Sequence, residues 1–190
     1  MHFLLFKPEF ILLFYTIFLL IVSVYLRKYY HKKDIAIVIY IANILILLEV
    51  TLCNFQNLIN NNSYIIFNFS LVIDHYTTTI KFFLLIFTII LLIVSFKQIL
   101  NSSVDIIEYP LLISFSIFFL LLLVSSYNMI TLYLCIEGLS LLLYVLAAFP
   151  FNQNSIEATT KYFIIGSLAS GLILFGIICI YGTSGSFDFL

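Results

Sequence analysis

Six long apolar stretches, separated by short polar ones, limit what this chain can fold into. They lie at roughly residues 10–26, 35–53, 76–96, 110–127, 129–149 and 157–181. Each is close to the ~20 residues that a helix needs to cross a bilayer core of ~30 Å. Only 9% of the residues are charged, against about 25% in a soluble domain, so there is too little polar surface to coat a globule in water. The sequence therefore predicts an all-α integral membrane protein, a single domain over residues 1–190 with six transmembrane helices.

The basic residues predict how the bundle is oriented. Arg27, Lys28, Lys32 and Lys33 lie between the first two spans, whereas residues 54–76 contain no Lys or Arg. Because loops rich in Lys and Arg stay on the cytoplasmic or matrix side, both termini are expected on the opposite side. The outer loop contains "SYIIFNFSLVID", which is too short to span a bilayer and predicts a strand or a hairpin.

Four ionisable residues lie inside the predicted spans: Glu49, Lys81, Glu137 and Lys161. Each costs about 2.5–3.5 kcal/mol at the centre of a membrane helix, so each needs a partner, a water-filled cavity or a route to the interface. Glu49 and Lys81 lie about one turn from the outer ends of spans two and three. They form either an ion pair between neighbouring helices or two side chains that extend separately to the interface.

Glu137 lies deeper than the others, in the apolar stretch "YLCIEGLSLLLYVLAAF". Tyr133, Ser140 and Tyr144 are at i−4, i+3 and i+7 from it, on the same helical face. A carboxylate flanked by hydroxyl groups can hold ordered water and change its protonation state when a cation approaches. The pattern favours a proton site, with a structural hydrogen bond between helices as the alternative.

Lys161 lies one to two turns inside the sixth span, with Glu157 at i−4. That order of charges favours a local ion pair. The alternative is that Lys161 points toward Glu137, across the turn closed by Pro150. Small residues follow at four-residue spacing, a pattern typical of close helix packing: Gly166 with Ser170, and Ser167 with Gly171.

The remaining reactive side chains predict neither a disulfide nor a metal site. Three cysteines, Cys53, Cys135 and Cys179, lie far apart in apolar segments, which is typical of packing residues. The three histidines have no ligand-like spacing. A net charge of −1 also gives no sign of a nucleic-acid partner.

Two segments resemble a known family. "LYLCIEGLSLLLYVLAAF" and "NSIEATTKYFIIGSLASGLILFGIICIYGTSGSFDF" are similar to the glutamate helix and the lysine helix of the antiporter-like subunit 2 of NADH:ubiquinone oxidoreductase, respiratory complex I. "VIDHYTTTIKFFLL" and "EYPLLISF" extend the resemblance over roughly residues 60–190. The resemblance implies that Glu137 and Lys161 are residues of a proton relay.

The same resemblance implies a non-redox role in proton-translocating NADH:ubiquinone reductase. The chain itself would bind no cofactor, since NADH, FMN, the iron–sulfur clusters and ubiquinone are handled elsewhere in the complex. Its partners would be other membrane-arm subunits. Bacterial family members have further helices after the sixth. We therefore expect either that a second chain supplies them, with lipids as further partners, or that this chain is a degenerate remnant.

The expected location is the mitochondrial inner membrane, with several spans and both termini on the intermembrane-space side. That expectation rests on the resemblance and on a composition rich in residues with AT-rich codons. Two other functions stay open: a subunit of a multisubunit cation/proton antiporter, and a structural membrane-arm scaffold without its own proton path.

Overall fold

The computed structural model describes residues 7–28, 32–60, 63–66, 70–100, 107–149 and 151–189. This part of the chain forms six helices and a short β-hairpin. The helices are α1 (Lys7–Leu26), α2 (Lys32–Asn60), α3 (His75–Leu100), α4 (Glu108–Ser125), α5 (Met129–Ala148) and α6 (Gln153–Ser184), and the strands are β1 (Tyr64–Ile66) and β2 (Leu71–Ile73). All six helices are long and apolar enough to cross a membrane. The predicted six-helix membrane bundle is confirmed.

Several helices extend beyond the predicted spans. α2 has 29 residues and α6 has 32, whereas the predictions placed these spans at roughly 35–53 and 157–181. Hydropathy finds the stretch that is stable in lipid, but helical hydrogen bonding continues until the backbone is capped. In α6, a capping box between Asn152 and Ser155 begins the helix, and Gly185, with φ 71°, ends it in the left-handed region.

The first four helices form one packed group, and the last two are added to it in series. α1 packs against α2 and α4, and α3 packs against the same two helices; α5 then packs on α4, and α6 on α5. The most deeply buried apolar side chains come from α1 to α4 and from Ile107 just before α4: Leu12, Ala36, Ile39, Tyr40, Leu47, Val50, Leu85, Leu92, Ile107 and Leu121. Among the described residues of α6, Ile177 alone is buried.

One end of the bundle, here called the hairpin end, carries the starts of α1, α3 and α5 and the ends of α2, α4 and α6. β1 and β2 pair antiparallel there, with Tyr64 opposite Ile73, so the predicted hairpin is confirmed. A bridge between Leu71 and Ser126 connects the hairpin to the end of α4. The Nδ2 of Asn128 donates to Oδ1 of Asp188 at 2.9 Å, which ties the segment after α6 to the start of α5.

The opposite end, here called the Arg27 end, carries the α1–α2 and α5–α6 connections. Arg27 Nη2 lies 2.8 Å from Glu108 Oε1, joining the end of α1 to the start of α4. The predicted tight turn after α5 is also present, although Pro150 lies outside the described residues. Phe151 has φ 62°, and its N–H donates to the carbonyl of Ala148 at 2.7 Å.

A buried amide joins α2 to α4 inside the four-helix group. The Nδ2 of Asn43 donates to the carbonyl oxygen of Pro110 at 2.7 Å. The hydroxyl of Ser114 donates in turn to Asn43 Oδ1 at 2.7 Å. Pro110 lies in the first turn of α4, where a missing N–H removes no helical hydrogen bond. Because both polar ends of the amide are satisfied, its complete burial carries little desolvation penalty.

Candidate proton-relay residues in α5 and α6

Glu137 lies near the middle of α5, eight residues after Met129 and eleven before Ala148. Its side chain is half-buried. One carboxylate oxygen, Oε2, is inaccessible and has no hydrogen-bond partner among the described residues. Burying a carboxylate oxygen without a partner is costly. This carboxyl group therefore requires a proton, a water molecule or a cation that the described residues do not supply.

The hydroxyl groups predicted to flank this carboxylate are used elsewhere or face another helix. Ser140 donates to the backbone carbonyl of Glu137 at 2.8 Å, not to its carboxylate. The ring of Tyr144 packs edge-on against Tyr162 and Phe163 of α6, with centroid distances of 4.9 and 5.5 Å. Tyr133 is partly exposed. The shared helical face is present, but hydrogen bonds between these side chains and the carboxylate are not observed in this part of α5.

Lys161 forms the local ion pair. Its Nζ lies 2.5 Å from Oε1 of Glu157, and the two side chains are 70% and 66% exposed. Long helical side chains point back toward the N-terminus of their own helix. In α6 that direction leads toward Glu157 and away from the depth of Glu137. Of the two predicted arrangements, the structure contains the pair within α6.

The packing of Tyr144 on α6 shows how far Lys161 is from Glu137 along the membrane normal. Tyr144 contacts Tyr162 and Phe163, and its hydroxyl lies against Gly166, so it is level with about residue 164. Glu137 lies seven residues from Tyr144 toward the hairpin end. Lys161 lies about three residues from the level of Tyr144 toward the Arg27 end. At 1.5 Å per residue this is an axial separation of about 15 Å. Because an ion pair needs N···O within ~4 Å, these two charges form no direct pair.

Neither of the two arrangements left open for Glu49 and Lys81 holds for the lysine, which is buried and pairs with Glu9. Lys81 is 1% exposed, and its Nζ lies 2.5 Å from Oε1 of Glu9, which is 2% exposed. Glu49 is exposed on α2, between the buried residues Leu47 and Val50. Successive residues of a helix are rotated by about 100°, so Glu49 does not share the core-facing side on which Leu47 and Val50 lie.

Glu9 was missed because it lies one residue before the first predicted span. It is the third residue of α1, just after Pro8, where an acid is usually read as favourable to the helix dipole. Glu9 can be identified by its depth in the bundle, which matches that of Lys81. α1 and α3 both begin at the hairpin end, so an acid near the start of α1 lies close to the level of Lys81. A buried lysine requires such a partner.

Residues 126–190, which include α5 and α6, match the protein family described as "NADH:quinone oxidoreductase/Mrp antiporter, TM". NADH-quinone oxidoreductase subunit N of Ruthia magnifica is 36% identical over 185 residues, which cover 95% of this chain and 36% of the relative. The corresponding protein of Pelagibacter ubique is 32% identical, covering 96% and 37%. The predicted resemblance to the antiporter-like subunit is confirmed. This chain spans just over a third of the length of these subunit N relatives.

Two solved structures share the fold. Respiratory complex I from Thermus thermophilus contains a chain with a TM-score of 0.73 and 20% identity, covering 95% of this chain and 38% of that one. The archaeal membrane-bound sulfane sulfur reductase contains one with a TM-score of 0.78 and 19% identity, covering 97% and 38%. At these identities the likeness establishes the arrangement of the six helices.

Proposed function

We propose that this chain belongs to the proton-translocating membrane arm of a respiratory NADH:quinone oxidoreductase, with Glu137 as a protonation site. The observation that carries the proposal is the inaccessible Oε2 of Glu137, which has no hydrogen-bond partner among the described residues. The names of the subunit N relatives support the same assignment. The chain acts as a non-redox subunit, and NADH, FMN, the iron–sulfur clusters and ubiquinone are bound elsewhere in the complex.

Lys161 is the second site of the proposed relay, and it acts with Glu157. A proton that passes from the ammonium of Lys161 to the carboxylate of Glu157 leaves both groups neutral, so this pair can hold the proton in two places without a lone charge on the helix. Since about 15 Å of helix axis separates Lys161 from Glu137, transfer between them needs intermediate carriers. Tyr144 lies between the two levels, and water is the carrier that can complete the distance.

Helices from outside this sequence complete the proposed subunit. Nearly two thirds of each subunit N relative reported above lies outside the matched stretch. The described part of α6 has one buried residue, and a Cβ added at Gly171 or Gly176 would meet open space. Small residues let helices approach closely in membranes. We propose that α6 packs against such helices, on a second polypeptide or a further stretch of chain, and that other membrane-arm subunits and lipids cover the rest.

The proposed location is an energy-coupling membrane with the Arg27 end on the cytoplasmic or matrix side, following the positive-inside rule. The subunit N relatives reported above are bacterial. The composition, rich in residues with AT-rich codons, favours the mitochondrial inner membrane, and both termini then face the intermembrane space.

The test is Glu137→Gln in the complex as it exists in its native membrane. Glutamine keeps the shape and the polarity of the side chain but cannot carry a proton. We expect the variant complex to assemble and to lose proton translocation, measured as acidification per NADH oxidised in sealed vesicles. Ser140→Ala is the matched control, because its hydroxyl bonds to its own helix, and it should translocate normally. Normal translocation by an assembled Glu137→Gln complex would refute the protonation role.

The description of the matched family also names Mrp antiporters, so a cation/proton antiporter subunit is the second candidate function. Native electrophoresis of gently solubilised membranes separates the two candidates. Migration of this chain with NADH dehydrogenase activity supports the first. Migration with cation/proton antiporter activity and without NADH oxidation supports the second.

A further inference from the structure

An exposed glutamate of α2 lies near the middle of the membrane. Because α2 continues to Asn60 at the hairpin end, Glu49 lies eleven residues, or about 16 Å, inside that end. This is deeper than the one turn predicted from the sequence. The stretch of α2 that is long and apolar enough to cross a membrane is Asp34–Ile59, and Glu49 lies about 4 Å from its middle.

The neighbouring helix α3 gives the same depth. α3 runs antiparallel to α2, and the two helices are matched in level by two contacts. The hydroxyl groups of Tyr40 and Ser95 are 2.8 Å apart. The ring centroids of Phe55 and Phe82 are 5.8 Å apart. Interpolating between these contacts places Glu49 about two residues from the middle of the membrane-spanning part of α3.

The carboxylate of Glu49 lacks a partner in the part of the chain that the structure describes. Its side chain is exposed, and no ion pair connects it to a described basic residue. Long side chains near helix ends can extend to the interface, but a glutamate at mid-depth is too short to do so. Protonation would remove the charge and still leave a carboxylic acid without hydrogen bonds in hydrocarbon. Glu49 therefore requires a polar partner from outside the described residues.

Glu49 borders an exposed apolar stripe that fits a second helix. The stripe, here called the α2 stripe, has alternating spacings of three and four residues, and its members are Val38, Ile41, Leu45, Leu48, Leu52, Phe55 and Ile59. That repeat keeps apolar side chains in line with a neighbouring helix over about 32 Å. Glu49 directly follows Leu48, and the exposed Gln56 lies seven residues further along the same edge. In paired helices, charged side chains at this edge select the partner.

We propose that the α2 stripe docks a transmembrane helix of another polypeptide, and that a lysine or arginine inside that helix pairs with Glu49. Complementary charge selects this occupant over lipid, because acyl chains offer a carboxylate no hydrogen bond. A second copy of this chain fits poorly, since a two-fold contact around Glu49 places two carboxylates opposite each other. The described lysines within the helices are also engaged, Lys81 with Glu9 and Lys161 with Glu157.

The inference deepens the proposed membrane-arm role by naming a surface for a partner subunit. It rests on that role only in requiring an assembly of several membrane chains. The relay involves α5 and α6 and is measured by proton translocation, whereas docking involves α2 and is measured by association. Each can therefore fail without the other.

The first experiment identifies the occupant by photo-cross-linking in the native membrane. p-Benzoylphenylalanine replaces Leu52, which is 64% exposed on the α2 stripe and lies about one turn from Glu49. After irradiation, the cross-linked peptides are sequenced by mass spectrometry. We expect one transmembrane segment of a different polypeptide, with a lysine or arginine within about one turn of the cross-link.

The second experiment measures how Glu49 contributes to association, as the fraction of the chain that stays with its partner on dilution in mild detergent. Glu49→Lys should weaken association about tenfold or more, because it sets two cations together. Changing the partner's basic residue to glutamate should restore association. Glu49→Gln should weaken it less. Glu108→Gln is the matched control, since it makes the same substitution at an exposed acid away from the α2 stripe, and it should associate as wild type does.

Circular dichroism separates a docking role from a folding role. Because no described residue pairs with the carboxylate of Glu49, the purified Glu49→Gln chain should unfold in micelles as wild type does. A lower stability of this variant would show that Glu49 acts within its own chain, contrary to the proposal.

Several other results would overturn the proposal. Cross-links to lipid alone would show that the α2 stripe faces the bilayer, and cross-links to a second copy would show self-association. A captured segment without a lysine or arginine would remove the charge argument. So would equal association by Glu49→Lys and Glu108→Gln, or a partner charge reversal that restores nothing.

Discussion

The buried pair between Glu9 and Lys81 makes a quantitative prediction about stability. Glu9→Leu should leave the ammonium of Lys81 buried without its carboxylate. Both side chains are at most 2% exposed, so solvent screening does not reduce the effect as it does at a surface. Removing one partner of such a pair costs about 3–5 kcal/mol, whereas replacing both with apolar residues is close to neutral or stabilising. Glu9→Leu combined with Lys81→Met should therefore be more stable than Glu9→Leu alone.

Equilibrium unfolding of the purified protein in mixed micelles, followed by circular dichroism, gives the free energies for a double-mutant cycle. The coupling between the two substitutions should be about 2 kcal/mol or more, since neighbouring groups with a shared interaction are not additive. Glu108→Gln is the control, because the Arg27–Glu108 pair is 34% and 46% exposed and should be worth ~1 kcal/mol or less. If Glu9→Leu costs no more than Glu108→Gln, or if the single effects simply add, the reasoning is refuted.

Two other substitutions test the packing, each by its shift in unfolding free energy. Gly138→Ala should destabilise by about 1–3 kcal/mol because its new Cβ would overlap the ring of Phe119, which must shift. Gly176→Ala, where the same Cβ meets open space, should be neutral or stabilise by ~0.5–1 kcal/mol; equal effects at both glycines would contradict the packing argument. Asn43→Ala should cost about 1–3 kcal/mol by removing the buried donor to the Pro110 carbonyl, and a neutral result would contradict that role.

The helices and the hairpin were predictable because each depends on a property of its own segment. A stretch of apolar residues as long as a bilayer is thick forms a helix whatever its neighbours are. Residues 63–74 are too few to span, so a hairpin was the remaining extended form. The helix ends were less predictable, because capping residues such as Asn152 and Gly185 determine them, whereas hydropathy does not.

The partners of the charged residues were only partly predictable. Spacing along a helix shows which side chains share a face, but not which backbone carbonyl a hydroxyl will choose. Ser140 lies on the same face as Glu137 and still bonds to a carbonyl of its own helix, a common choice for serine. The pair between Lys161 and Glu157 was within reach because it is local. The partner of Lys81 depended on how α1 and α3 lie in space, which a pattern along one helix does not contain.

The length of α6 determines where its lysine lies relative to the lipid. Thirty-two residues make a helix of about 48 Å, well beyond a hydrocarbon core of ~30 Å. Residues 162–181 fit that core, and tyrosines at both of its ends, Tyr162 and Tyr181, match the usual aromatic belts. The first turns of α6 therefore extend past the hydrocarbon into the head-group layer. In the proposed relay, Lys161 exchanges protons directly with that layer, whereas Glu137 lies about half the membrane away from it.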